Sequence, residues 1–118
     1  SIGEQHLWCY KDYELVMDTD VVTGLPTTER ETTPGTFAVD AKKEDAVLGS
    51  LDVQGYESPV HFWAPFNGGQ GLHDAPWRGD FGGDIYLGNG SHGCVNIPPE
   101  NMEVIYNAID IGTAVVIY

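Results

Sequence analysis

The chain has 118 residues, 42% of them hydrophobic, with 18 acidic residues against 5 basic ones and a formal net charge of −13. That length supports one domain with one core, which buries roughly two-thirds of the surface exposed by the unfolded chain. The acidic surplus repels nucleic acid, and no apolar run approaches the roughly 20 residues that span a bilayer, which argues against a nucleic-acid binder and against a transmembrane segment in this chain.

In chain order, His6 to Tyr10 and Leu15 to Val22 are rich in aromatic and branched residues and are separated by the polar break Lys11-Asp12-Tyr13-Glu14, which predicts a β-hairpin. Gly24, Pro26 and the polar stretch Thr27 to Pro34 predict a long loop, and Gly35 to Val39 a further strand. Residues 42–59 show no sustained period and read as an excursion between strands, with the option of a lid. Val60 to Ala64 and Gly71-Leu72-His73 return to strand chemistry. Five glycines between Trp77 and Gly90 (Gly79, Gly82, Gly83, Gly88 and Gly90) predict a tightly folded loop leading into Ser91. Pro98-Pro99-Glu100 reads as a helix start, and Met102, Ile105, Tyr106 and Ile109 mark its buried stripe. Gly112 ends that helix, and Ala114 to Tyr118 forms a last strand, expected to be central. The reading is a mainly β protein with a single helix.

The two cysteines are too few for a disulfide framework or a cysteine-rich zinc site. Cys9, in an aromatic strand, reads as a small core hydrophobe. Cys94 stands in the run Ser91-His92-Gly93-Cys94-Val95-Asn96, with His73 upstream. A cysteine has a pKa of about 8.5 in water, so an efficient thiol nucleophile needs a neighbouring base, for which His73 and His92 are the candidates. The dipole of the following helix is a further candidate for stabilising a thiolate. A glycine before the nucleophile lets successive N–H groups of Gly93 and Cys94 face one developing oxyanion. The bland reading, a buried cysteine beside a core histidine, is outweighed by the Ser-His-Gly-Cys cluster, its glycine-rich approach and the second histidine.

This pattern resembles the L,D-transpeptidase (YkuD-type) catalytic domains, whose motif is a histidine, a spacer, then Ser/Thr-His-Gly-Cys-hydrophobic-Asn. His73, Ser91, His92, Gly93, Cys94, Val95 and Asn96 fill every position, with residues 74–90 as a spacer at the long end of the family range. The stretch Val22 to Thr27, the segment Thr33-Pro34-Gly35-Thr36-Phe37 and the closing Gly112 to Val116 extend the likeness over essentially all of residues 1–118.

The resemblance implies a β-sandwich of mixed sheets with one short α-helix after the catalytic cysteine. It implies Cys94 as nucleophile, His73 as its base with His92 as second candidate, and the Asp74 carbonyl as orienter of the His73 ring. Backbone N–H groups around His92, Gly93 and Cys94 would form the oxyanion hole, while Ser91 and Asn96 brace the loop. Trp77 and Tyr86 are candidates to line a substrate cleft, with a core role as the alternative. Asp74, Asp80 and Asp84 are weighed as contacts for an acceptor amine against solvated carboxylates, and His6 and His61 read as surface or packing residues.

The implied activity is peptidoglycan L,D-transpeptidation. Its partners are donor and acceptor stem peptides, carbapenem β-lactams acylate the cysteine, and no cofactor or metal takes part. The implied place is outside the cytoplasm, in the cell wall or on the outer face of the cytoplasmic membrane, and the chain, opening on Ser1-Ile2-Gly3, reads as a catalytic domain excised from a longer exported protein. The alternatives are a cysteine L,D-carboxypeptidase acting on the same stems, a non-catalytic wall-binding β-module and, more remotely, a zinc hydrolase.

Overall fold

A computed structural model describes residues 1–49 and 56–118. Strands β1 (His6–Lys11) and β2 (Glu14–Asp20) form the expected antiparallel hairpin, with Lys11 opposite Glu14. Asp12 and Tyr13 make its two-residue turn, and their φ values of 52° and 68° are those of a turn whose twist matches the flanking strands. The hairpin places Cys9 in the core, as its apolar neighbours suggest.

β3 (Gly35–Ala38) pairs antiparallel with the last strand, β8 (Ala114–Ile117). The expectation of a central last strand is not met. Among the described residues β8 shares a ladder only with β3, and Val116 and Tyr118 stand exposed at 57% and 65%. An unbroken apolar run cannot distinguish a strand buried on both faces from one that is half open, because it lacks alternation.

A four-stranded sheet carries the order β4-β5-β6-β7, from β4 (Lys43–Leu48), β5 (Ser58–Asn67), β6 (Gln70–Asp74) and β7 (Val95–Ile97). β4 corrects the reading of residues 42–59 as an excursion. Its sequence, Lys-Glu-Asp-Ala-Val-Leu, buries only Ala46 and pairs on one side alone, and the charged side chains that suit an edge strand hid its period. The lid suggested within 42–59 falls partly on residues 50–55, outside the described residues. β4 and β5 are antiparallel, as are β5 and β6, whereas β6 and β7 run parallel. The sheet is therefore mixed, as the resemblance implies.

α1 (Ile85–Asn89) is a single helical turn inside the glycine-rich stretch that was expected to be loop throughout. α2 (Pro99–Ala108) starts where the two prolines predict, with Glu100 in its first turn. Met102 and Ile105, one turn apart, are 0% and 1% exposed. They close a core shared with Cys9, Val21, Ala64, Phe66, Leu72, Val95 and Ile97, which joins the hairpin, the mixed sheet and α2. Among the described residues, no helix is long and apolar enough to cross a membrane.

Candidate active site

The site is built on the parallel pair β6–β7. Leu72 lies opposite Val95 and His73 opposite Asn96, and Leu72 and Val95 both point into the core. Side chains alternate along a strand, so His73 and Cys94 share the other face. Cys94 falls abreast of Gly71, two strand positions from His73, a diagonal of about 8 Å between Cα atoms from strand spacing and rise. Gly71 keeps the surface between them low. A Cβ there would stand 2.7 Å from the Trp63 ring and 2.6 Å from the Pro65 Cα, so only glycine fits.

His73 is 4% exposed. Its Nδ1 bonds the Asp74 carbonyl oxygen at 2.7 Å. A carbonyl can only accept, so Nδ1 carries the proton, and the neutral ring keeps its lone pair on Nε2. Trp63 and Trp77 flank the imidazole, with ring centroids 6.0 and 5.8 Å away. Burial pushes the His73 pKa below its ordinary 6.5, opposed by the hydrogen bond and charge of Asp74. The His73 ring is therefore neutral at rest, with a free lone pair on Nε2.

Asp74 holds the ring through its backbone carbonyl, while its side chain does structural work. The fully buried carboxylate accepts from His61 N–H at 2.9 and 3.1 Å and from Phe62 N–H at 2.8 Å, and also meets His61 Nδ1 at 3.2 Å. The carboxylate thus ties β6 to β5 beside the carbonyl that holds His73.

Cys94 is half-buried and free. Its thiol donates to the Gly69 carbonyl at 3.3 Å, and burial pushes its pKa up to about 11, against a lowering contribution from the Gly71 backbone. The resting state is a thiol, not a thiolate. The proposed help from the helix dipole is corrected: the three residues of β7 and Pro98 separate Cys94 from α2, whereas the dipole acts within about one turn.

The oxyanion reading is also narrowed. Gly93 N–H donates to Ser91 Oγ at 3.1 Å, and Ser91 Oγ donates to the Cys94 carbonyl, so Ser91 braces the loop and occupies one expected donor. His92 N–H and Cys94 N–H have no hydrogen-bond partner among the described residues and are left for the role. Gly93 adopts φ +131°, a conformation side-chain-bearing residues rarely take. Asn96 ties the loop to Val22 through its backbone, at 2.8 and 3.0 Å, whereas its buried Oδ1 is unpartnered among the described residues.

His92 is exposed and stacks on Tyr56, centroids 4.4 Å apart, with no hydrogen bond from its ring among the described residues. It lacks the fixed tautomer that suits His73 to act as base. Trp77, 51% exposed beside His73, sits where a cleft residue belongs; Tyr86, in α1, makes no described contact with either histidine. Sequence reasoning missed Tyr56 at the site, because a lone tyrosine beside a polar loop carries no pattern. It also gave Trp63 no place at the site, although its pairing with His73 needed only the hairpin register.

Residues 1–117 match the family described as L,D-transpeptidase catalytic domain (YkuD). Probable L,D-transpeptidase 3 of Mycobacterium tuberculosis is 32% identical over 97 residues, covering 75% of this chain and 35% of that protein. A crystal structure of an Enterococcus faecium L,D-transpeptidase Cys-to-Ser mutant superposes with a TM-score of 0.90 at 41% identity, over 98% of this chain and 46% of that one. The E. faecium catalytic domain acylated by ertapenem, solved by NMR, gives a TM-score of 0.85 at 42% identity, over 99% and 92% of the two chains. The chain thus spans less than half the length of the first two of these proteins.

Proposed function

Because the chain belongs to the family of L,D-transpeptidase catalytic domains, we propose that it forms L,D cross-links between peptidoglycan stem peptides, outside the cytoplasm, as part of an exported protein. The observation that carries the reading is a buried, tautomer-fixed His73 set diagonally across a parallel strand pair from Cys94.

In the first half-reaction Cys94 Sγ attacks the carbonyl joining the L-centre of the donor's diamino acid to its terminal D-Ala. His73 Nε2 takes the thiol proton as the S–C bond forms, which suits a thiol whose own pKa of about 11 keeps it protonated at rest. The carbonyl oxygen becomes an oxyanion facing His92 N–H and Cys94 N–H, which cost no reorganisation because the loop is already braced. The C–N bond then breaks, His73 returns its proton to the departing D-Ala amine, and a thioester remains. In the second half-reaction an acceptor-stem amine attacks the thioester, His73 takes its proton, and the thiol is regenerated as the cross-link forms. Trp63 and Trp77 keep water from His73, and a β-lactam carbonyl entering the same position would leave a covalent acyl-enzyme.

Incubation with a tetrapeptide stem and an acceptor, read by mass spectrometry, tests this. The expected products are free D-Ala and a cross-linked dimer, both absent with Cys94→Ala. A shortened stem without dimer would make the chain an L,D-carboxypeptidase, and no product with either stem would leave a wall-binding module.

A further inference from the structure

The loop that carries Cys94 is held by a buried clamp from a distant part of the chain. Thr32, 2% exposed, lies in the connection between β2 and β3. Its Oγ1 accepts Gly24 N–H at 2.9 Å and donates to the Gly93 carbonyl at 2.8 Å, a bond between residues 61 apart in sequence. A hydroxyl has one proton, and with the Gly24 N–H already pointing at the oxygen that proton is committed to Gly93. Gln70 grips the same place from the start of β6. Its Oε1 accepts Thr33 N–H at 3.0 Å, its Nε2 donates to the Glu31 carbonyl at 3.1 Å, and its side chain covers Gly93, where a Cβ would come within 3.2 Å of Nε2.

The Gly93 carbonyl and the Cys94 N–H belong to one planar trans peptide and point in opposite directions. Fixing the carbonyl therefore aims the N–H. Hydrogen bonding into the carbonyl also polarises the unit and makes its N–H a stronger donor. That N–H is one of the two groups left for the oxyanion, so a mis-set peptide would cost acylation without touching the thiol or its base.

We propose that Thr32 is a positioning residue for acyl transfer, aiming and polarising Cys94 N–H toward the oxyanion, with Gln70 as its outer brace. The proposal rests on the acyl-transfer reading above and adds residues outside the Ser-His-Gly-Cys motif to the machinery.

The test compares two reactions of Cys94 at one pH. Acylation by ertapenem develops an oxyanion, whereas alkylation by iodoacetamide displaces iodide at a saturated carbon and develops none at the site. Thr32→Val is expected to slow acylation by about 10- to 100-fold, below the full loss of an oxyanion donor, and to change alkylation by less than about twofold. Thr32→Ser, which keeps the hydroxyl, is expected to acylate within about threefold of the unaltered chain. Gln70→Leu, at a partly exposed position, should show the same split at about 3- to 10-fold, and it decides the matter if Thr32→Val does not fold. Equal loss of both reactions, no loss of acylation, or failure of serine to rescue would overturn the clamp. An unaltered chain that is alkylated at Cys94 but never acylated would instead overturn the acyl-transfer reading, and the clamp with it.

Discussion

The chemistry turns on how two residues divide the work of ionisation. Burial raises the Cys94 thiol to about 11 and lowers the His73 imidazole below 6.5, so each is neutral at physiological pH. In the proposed reaction a neutral pair must move its proton during attack, which casts His73 as a general base and not as the partner of a standing thiolate. Acylation should therefore be flat at neutral pH and fall only as acid protonates the ring, with a midpoint below 6.5; a pH–rate profile with a midpoint above 7 would contradict the neutral pair. Replacing His73 by Gln should slow acylation by about 10²- to 10⁴-fold, the usual share of a general base. The motif made Cys94 and His73 legible because their side-chain types are rare and their chemistry specific. The state of the thiol was not legible, since a pKa depends on burial and neighbours that no spacing encodes.

At the scale of elements, β6 is the organiser. It supplies Gly71, His73 and Asp74 within five residues, and each does a different task. Asp74→Ala removes the acceptor for His61 N–H and Phe62 N–H, and unmade buried hydrogen bonds should cost about 2–4 kcal/mol. Thermal or denaturant unfolding measures that loss, and the surviving folded fraction should also acylate more slowly because the carbonyl holding His73 shifts. Stability unchanged within about 0.5 kcal/mol would show that the carboxylate is not the tie between the strands. The hairpin, β3, β5, β6 and α2 were legible from alternation, turn chemistry and proline. β4 was not, because an edge strand with charged side chains has no apolar period to read, and β8 was misplaced because a uniformly apolar run conceals which face is wet. β7 escaped notice at three residues, too short for any period, yet it is the element that sets Cys94 abreast of Gly71.

For the whole molecule, the same two residues contribute to stability against pH, alongside Cys9 on the alkaline side and His92 on the acid side. Between about 9 and about 11 the unfolded chain loses the Cys94 proton while the folded chain keeps it, so stability should fall as pH rises through that window. On the acid side the unfolded chain takes up a proton near 6.5 before His73 can in the folded state, so stability should fall as pH drops below that value. Burial raises the Cys9 thiol as well, so unfolding curves of Cys94→Ala should show a smaller alkaline component and an unchanged acid one; an identical alkaline slope in both proteins would assign it elsewhere. The formal charge of −13 adds general self-repulsion that salt screens, so the melting temperature should rise with ionic strength. Intact-protein mass spectrometry with ertapenem bears most directly on the central claim, that a His73-assisted Cys94 transfers acyl groups. The unaltered chain should gain one covalent adduct mapping to Cys94, and His73→Gln should form it about 10²-fold or more slowly. No adduct, an adduct on Cys9, or equal rates in the two proteins would contradict it.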